Sequence, residues 1–210
     1  MDQGSKHRQF KGVTGIVVHD HWKPYYQMST KHALCNAHHL RELQSFIEAK
    51  EPWSKKMKKV LLCMHKYRQA FTEEIPKLKL KRLEEMYDKI LDEGLAYHLK
   101  RREQFPCGGR TIRKRYYGHN LVLRLKNFRG DVLRFLYNPA VPFTNNQAEQ
   151  DIRMMKLKQK ISGGFRTTKG ADVFIQIRTF LSTARKQKWD IFEVLANAIK
   201  GQIILPVHAD

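Results

Sequence analysis

The sequence predicts an α/β protein that is predominantly helical. Three features point there: one short run of β-branched residues near the amino terminus, a long series of stretches with apolar residues three and four positions apart, and Pro and Gly residues that cut that series into separate helices. The run Val13-Thr14-Gly15-Ile16-Val17-Val18 is continuously apolar rather than alternating, the pattern of a strand covered on both faces. It ends in His19-Asp20-His21-Trp22-Lys23-Pro24. Pro24 stops the strand, so Asp20 is expected at its carboxyl end, where open α/β sheets place their chemistry.

A helix is expected over about residues 30–50, with Ala33, Ala37, Leu40, Phe46 and Ile47 on its apolar stripe and Pro52 closing it. A second should run over about 53–74, before Pro76, and a third over about 77–102, weakened at Gly94. Pro106-Cys107-Gly108-Gly109 reads as a turn, and a further helix is expected over about 117–137. After the break at Asn138-Pro139, Thr144-Asn145-Asn146-Gln147 has the order of a capping box and opens a helix with Ala148, Ile152 and Met155 on its stripe. Ser162-Gly163-Gly164 ends it. A helix following Gly170 places Val173, Ile177, Phe180, Leu181 and Ala184 at core spacing, and a last one, about 189–200, should bury Phe192, Leu195 and Ile199.

Forty Lys and Arg against twenty Asp and Glu give the 210-residue chain a formal charge of +20. Self-repulsion on that scale is best relieved by a polyanion, so nucleic acid is the expected partner. The middle of the chain is especially basic, with eleven Lys and Arg against two acids between Gly94 and Ala148. No apolar run approaches the length of a membrane span, and Met1-Asp2-Gln3-Gly4-Ser5-Lys6 opens without the apolar stretch of a secretory signal. A cytoplasmic protein without a membrane partner is expected. The three cysteines, Cys35, Cys63 and Cys107, are odd in number and far apart, which argues against a disulfide framework.

Asp20 reads either as a turn residue capping its own backbone or as a ligand for a hard divalent cation. Glu149 falls in the first turn of its helix, where the helix dipole favours an acid, and it can also pair with Arg153 four residues on. Cys35 and His38 share a helix face and could together hold a zinc ion, although two more ligands would be needed; a buried thiol beside a satisfied imidazole is the simpler account. Lys156, Lys158, Lys160, Arg166 and Lys169 crowd an acid-free segment interrupted by Ser162-Gly163-Gly164, a composition suited to the DNA backbone.

Several of these stretches resemble the transposases of the insertion sequence 66 family. They are Val18-His19-Asp20-His21-Trp22-Lys23-Pro24-Tyr25, the segment His32 to Leu43 containing Cys35-Asn36-Ala37-His38-His39, and Val141-Pro142-Phe143-Thr144-Asn145-Asn146-Gln147-Ala148-Glu149-Gln150-Asp151-Ile152-Arg153. Lys158-Gln159-Lys160-Ile161-Ser162-Gly163-Gly164-Phe165-Arg166 and Ser182-Thr183-Ala184-Arg185-Lys186-Gln187 extend the likeness. The resemblance implies a DDE transposase with a ribonuclease H-like core and a helical insertion between the second catalytic Asp and the catalytic Glu, here Asp20 and Glu149. Cys35 and His38 match the Cys-x-x-His element of such families. The implied organisation is a core strand and catalytic turn in 1–29, a basic helical insertion in 30–138, and carboxyl-terminal core helices in 139–210.

The implied chemistry is Mg²⁺-dependent phosphoryl transfer on duplex DNA by a homo-oligomer, with two carboxylate-held ions activating the attacking oxygen and stabilising the leaving one. Arg153, Lys156, Lys158, Lys160 and Arg166 would contact phosphates. The family's first catalytic Asp lies on an upstream strand, and only 19 residues precede Asp20. The expectation is therefore a truncated transposase that is inactive alone. Its rivals are a non-catalytic basic nucleic-acid-binding remnant and a zinc-stabilised module built on Cys35 and His38.

Overall fold

The β-branched run forms strand β1, Ile16–His19, and a second strand, β2, Lys31–Leu34, lies parallel to it with Ile16 opposite Lys31 and His19 opposite Leu34. The ladder extends one step further, because the Cys35 amide donates to the His19 carbonyl at 2.8 Å. The structure, a computed structural model, describes residues 14–71, 73–104 and 117–204, with the backbone alone of Arg102, Gln104, Asp151, Ile152 and Met155. The expected turn at 106–109, with Cys107, lies outside the described residues, as do the Ile152 and Met155 side chains. The described residues are mostly helical, with this one small two-stranded sheet.

The strand β2 corrects the expected helix over 30–50. Ala33 and Leu34 fit a helical stripe and a buried strand equally well, and what makes Lys31–Leu34 a strand is pairing with β1, a tertiary effect that local propensity does not report. The helix α1 starts only at Asn36 and ends at Glu48. Between the strands, Pro24 opens a short 3-10 helix, Lys23–Gln27, consistent with its fixed φ at a helix start.

The chain forms two compact units, Met1–Asn145 and Asn146–Asp210. In the first, α2 (Pro52–Ala70) and α3 (Lys77–Gln104) pack together, α1 packs on α2, and α4 (Tyr117–Asn127) packs on α3. Met57, Val60, Leu61 and Met64 form the buried stripe of α2, and Leu83, Tyr87, Ile90 and Leu91 that of α3. Gly94 of α3 is a site of close packing rather than a weak point. A Cβ there would lie 3.0 Å from Val122 Cγ2 and 3.2 Å from the Trp53 ring.

The single helix expected over 117–137 is instead three: α4, then α5 (Arg129–Val132) and α6 (Arg134–Tyr137). Phe128 and Leu133 at the breaks depart from helical backbone angles. Arg129 is anchored on Asp88 of α3 by two bonds of 2.8 and 3.0 Å, and Arg134 donates to Asp131 at 2.8 Å and to the His32 carbonyl of β2. These tethers turn the chain back toward the sheet.

The second unit holds α7 (Asn146–Ser162), α8 (Thr168–Lys186) and α9 (Ile191–Ile199). Gly163 and Gly164 end α7 at φ 68° and 126°, backbone conformations that favour glycine. Thr167 caps α8 through the Gly170 amide, and Asp190 caps α9 through the amides of Phe192 and Glu193. Burial departs from the expected stripes: Val173 and Ile177 are exposed, and Phe192 and Ile199 are 85% and 87% exposed, while Val194 faces inward. The nine-residue α9 buries Val194 and half-buries Ile191, Leu195 and Ala198, while Phe192, Ala196 and Ile199 stay outside. Among the described residues no helix is long and apolar enough to cross a membrane.

Candidate functional site

Both strands run in the same direction, so their carboxyl ends deliver Asp20 and Cys35 side by side. A cavity of about 280 Å³ opens there, lined by Asp20, His21, Trp22, Leu34, Cys35, His38, His39, Glu42 and Arg124. Asp20 is exposed, and its Oδ1 accepts from the Trp22 amide at 3.3 Å. The side chain therefore does cap its own turn, and it does so at the cavity. The capping bond fixes the carboxylate's direction and leaves it in solvent contact.

Behind Asp20 the face of the sheet is packed with rings. His19, buried, donates through Nδ1 to the Asp20 carbonyl and lies 3.1 Å from His32 Nδ1 through its Nε2, with Tyr25 and Tyr26 at centroid distances of 4.8 and 5.0 Å. Burial holds the His19 pKa below its usual value. Tyr26 places its hydroxyl 3.3 Å from His21 Nδ1, and burial pushes the phenol up to about 12. His21 is lowered by burial and then by the nearby Arg124 guanidinium. His39, almost wholly buried, is pushed down to about 3, mainly by burial and then by Arg124. His21 and His39 are therefore neutral at pH 7.

Arg124, delivered by α4, pairs with Glu42 of α1 at 2.5 Å. The two charges cancel locally, which leaves Asp20 as the cavity's uncompensated carboxylate among the described residues that line it. Cys35 is the buried N-cap residue of α1, with its Sγ accepting from the Asn145 amide at 3.3 Å. His38 follows one turn along and is half-buried. These two residues share one wall of the cavity.

Glu149 stands in the first turn of α7, exposed, in the second unit. Arg153, Lys156, Lys158 and Lys160 are exposed along the same helix, and Arg166 is exposed in the connection to α8. Arg153, Lys156 and Lys160 follow at steps of three and four and share a face.

The transposase IS66 family profile matches residues 3–173, most of the chain. The chain belongs to the IS66 transposase family. The match takes in Asp20, Cys35, His38, Glu149 and the basic run through Arg166. An uncharacterized protein, y4jO, of Sinorhizobium fredii (strain NBRC 101917 / NGR234) is 29% identical over 91 residues, which are 42% of this chain and 28% of that protein. The matched part is thus under a third of that relative's length. No solved structure matches.

In this IS66 family chain the structure groups residues that no sequence pattern joins. Glu42 and Arg124 enter the cavity from α1 and α4, 82 positions apart, and no local pattern links them. One signal was available for the histidines. Five of the ten, His19, His21, His32, His38 and His39, fall within residues 19–39, which is the segment that builds the sheet end.

Proposed function

We propose that this chain carries part of a transposase centre that cleaves and joins DNA strands. Asp20 is one metal-binding carboxylate, Glu149 is a second that converges on the same cation, and Arg153, Lys156, Lys158, Lys160 and Arg166 hold the DNA backbone. The observation that carries the reading is the position of Asp20, an exposed carboxylate at the end of a parallel strand and at a cavity of about 280 Å³, in a member of the IS66 family. On this reading β1 and β2 are the part of a ribonuclease H-like sheet that bears the second catalytic Asp, and the protein works as a homo-oligomer on DNA.

The lining residues fit a hard divalent cation such as Mg²⁺. The carboxylate oxygen is the donor such ions prefer, neutral His21 and His39 add no repelling charge, and Arg124 is compensated by Glu42. When bound, the ion polarises a phosphoryl oxygen and lowers the pKa of an attacking water or hydroxyl. The protein's part is to hold Asp20 in one orientation through the Trp22 amide. One feature favours the non-catalytic rival for the isolated polypeptide: of the two carboxylates lining the cavity, Glu42 is taken by Arg124, and Asp20 with Glu149 makes a thin ligand set for two ions.

The test measures Mn²⁺ binding by electron paramagnetic resonance and nicking of duplex DNA carrying element ends, with Asp20→Ala and Glu149→Ala alongside. The native chain should bind Mn²⁺ and duplex DNA, each substitution should weaken the metal at least about tenfold, and the 210-residue chain alone should not nick. Unchanged Mn²⁺ affinity in either variant would remove that residue from the centre. Nicking that both substitutions abolish would overturn the inactivity and show that a further acid completes the site.

A further inference from the structure

We propose that Trp22 is a stacking platform for an unpaired nucleobase of the DNA strand whose backbone reaches Asp20. The inference rests on the DNA-processing function proposed above and adds the form of strand that the site accepts.

The three tryptophans differ sharply. Trp53 is 1% exposed in the core, with its indole N–H donating to Glu51 at 2.9 Å, and Trp189 is half-buried. Trp22 is 57% exposed. A lone exposed apolar residue needs no explanation, but an exposed tryptophan on the wall of a functional cavity does, because its large apolar face is costly to leave in water. Packing does not account for it, since the ring meets Tyr25 edge-on at a centroid distance of 5.5 Å and most of its surface stays open.

The backbone that carries the indole is nonetheless held in place. The Trp22 amide donates to Asp20, the residue precedes the 3-10 helix that Pro24 opens, and Tyr25 meets the ring edge-on. A platform fixed in this way takes a flat partner with little loss of conformational freedom. It stands two residues from Asp20 and lines the same cavity, with exposed Lys23 next to it in the chain. A base resting on Trp22 would leave its phosphates within the field of Lys23, in a protein of net charge +20.

The partner must be an unpaired base. In the interior of a duplex both faces of a base are covered by its neighbours, so away from the ends an indole can stack only on a base that has left the helix, and beyond the ends on one in a single-stranded extension. Basic residues bind single and double strands alike through their phosphates. Trp22 is the element that would tell them apart.

The experiment uses the full chain and three DNAs that each carry one 2-aminopurine: in a blunt duplex, in a single-stranded overhang next to a duplex, and in a single strand. Affinity is read by anisotropy and stacking by quenching of 2-aminopurine. With the native chain, the overhang base should be quenched and the overhang DNA preferred over the blunt duplex. Trp22→Ala should lose the quenching and cut that preference about tenfold, equal to about 1.4 kcal/mol. Trp22→Phe should recover most of both, which separates a lost ring from a disturbed loop. Trp22→Ala with undiminished quenching, or with the same preference, overturns the proposal and leaves the DNA function standing. A native chain that binds none of the three DNAs overturns both.

Discussion

Asn36 donates through Nδ2 to the Val132 carbonyl oxygen at 3.1 Å, joining residues 96 positions apart. Its Oδ1 takes a bond from His39 Nδ1 at 3.1 Å, and its amide donates to the Phe143 carbonyl at 3.0 Å. One fully buried side chain and its amide thus tie the start of α1 to the end of α5 and to the segment that leads toward α7. Both ends of the helical stretch between Asp20 and Glu149 are held at the residue that follows Cys35.

Replacing Asn36 with Ala should therefore be costly. The change leaves the Val132 carbonyl and the His39 ring buried without their partner, and an orphaned buried group costs about 1–3 kcal/mol. A loss of about 2 kcal/mol in urea unfolding is expected, well above the few tenths typical of a surface change. A loss below about 0.5 kcal/mol would mean that water replaces the side chain and that it does not pin the two ends.

Gly118→Ala should destabilise the protein although the residue is helical. Alanine gains about 1 kcal/mol of helix propensity over glycine. Its Cβ, however, would lie 2.7 Å from Glu51 Oε2 and 2.7 Å from His98 Cε1, both on buried groups held by neighbours. Overpacking of that kind costs about 1–3 kcal/mol, so the net effect should be a loss. An unchanged or raised melting temperature would show that the Glu51 carboxylate can withdraw.

The same cluster makes stability depend on pH in two opposed ways. His98 is faced by Glu51 at 3.4 Å, by Arg101 and Tyr97 of its own helix, by His119 of α4 and by the Trp53 ring. Burial, with His119 and Arg101, pushes its pKa down to about 4, so the unfolded chain takes up a proton first and stability falls as pH drops from about 6.5 toward 4. Burial raises the Glu51 pKa, so here the folded chain takes up the proton first and stability rises as pH drops through that value toward 4.5. The two effects partly cancel in the native chain. Urea midpoints between pH 7 and 4.5 should therefore fall more steeply with acid in Glu51→Gln and less steeply, or rise, in His98→Gln. A tenfold change in proton affinity is worth about 1.4 kcal/mol, so the divergence should be measurable. Parallel profiles in both variants would remove the cluster from the protein's acid response.

What the sequence disclosed about this fold was local. Asp20 could be placed at a strand end because the β-branched run and Pro24 lie next to it, and α2 and α3 because Pro52 and Pro76 bound them. The strand Lys31–Leu34 could not be read, since its four residues suit a helix and only pairing with β1 decides otherwise. Arg124 and Glu42 could not be placed in the cavity, because nothing in either neighbourhood registers a contact 82 positions away. The apolar spacing of α9 was visible, but spacing says which residues share a face and not whether that face is covered, as Phe192 and Ile199 show. Trp22 stands within a motif that the sequence shows, yet its exposure at the cavity is a property of the folded loop.

The basic face of α7 yields the remaining prediction. Arg153, Lys156 and Lys160 are exposed at steps of three and four, so a DNA backbone lying along the helix would meet them together. Each phosphate neutralised releases a condensed counterion, and the logarithm of duplex affinity falls with the logarithm of salt at a slope of about 0.9 per contact. Lys156→Ala combined with Lys160→Ala should lower the magnitude of that slope by about 1.8 and weaken binding evenly across sequences, since phosphate contacts carry no base information. Lys200→Ala, at the far end of the same unit beyond α9, is the control for a loss of bulk charge. If the control moves the slope as much as one of the α7 substitutions, DNA follows the overall charge of +20 rather than this face, and the roles proposed for the α7 side chains fall with it.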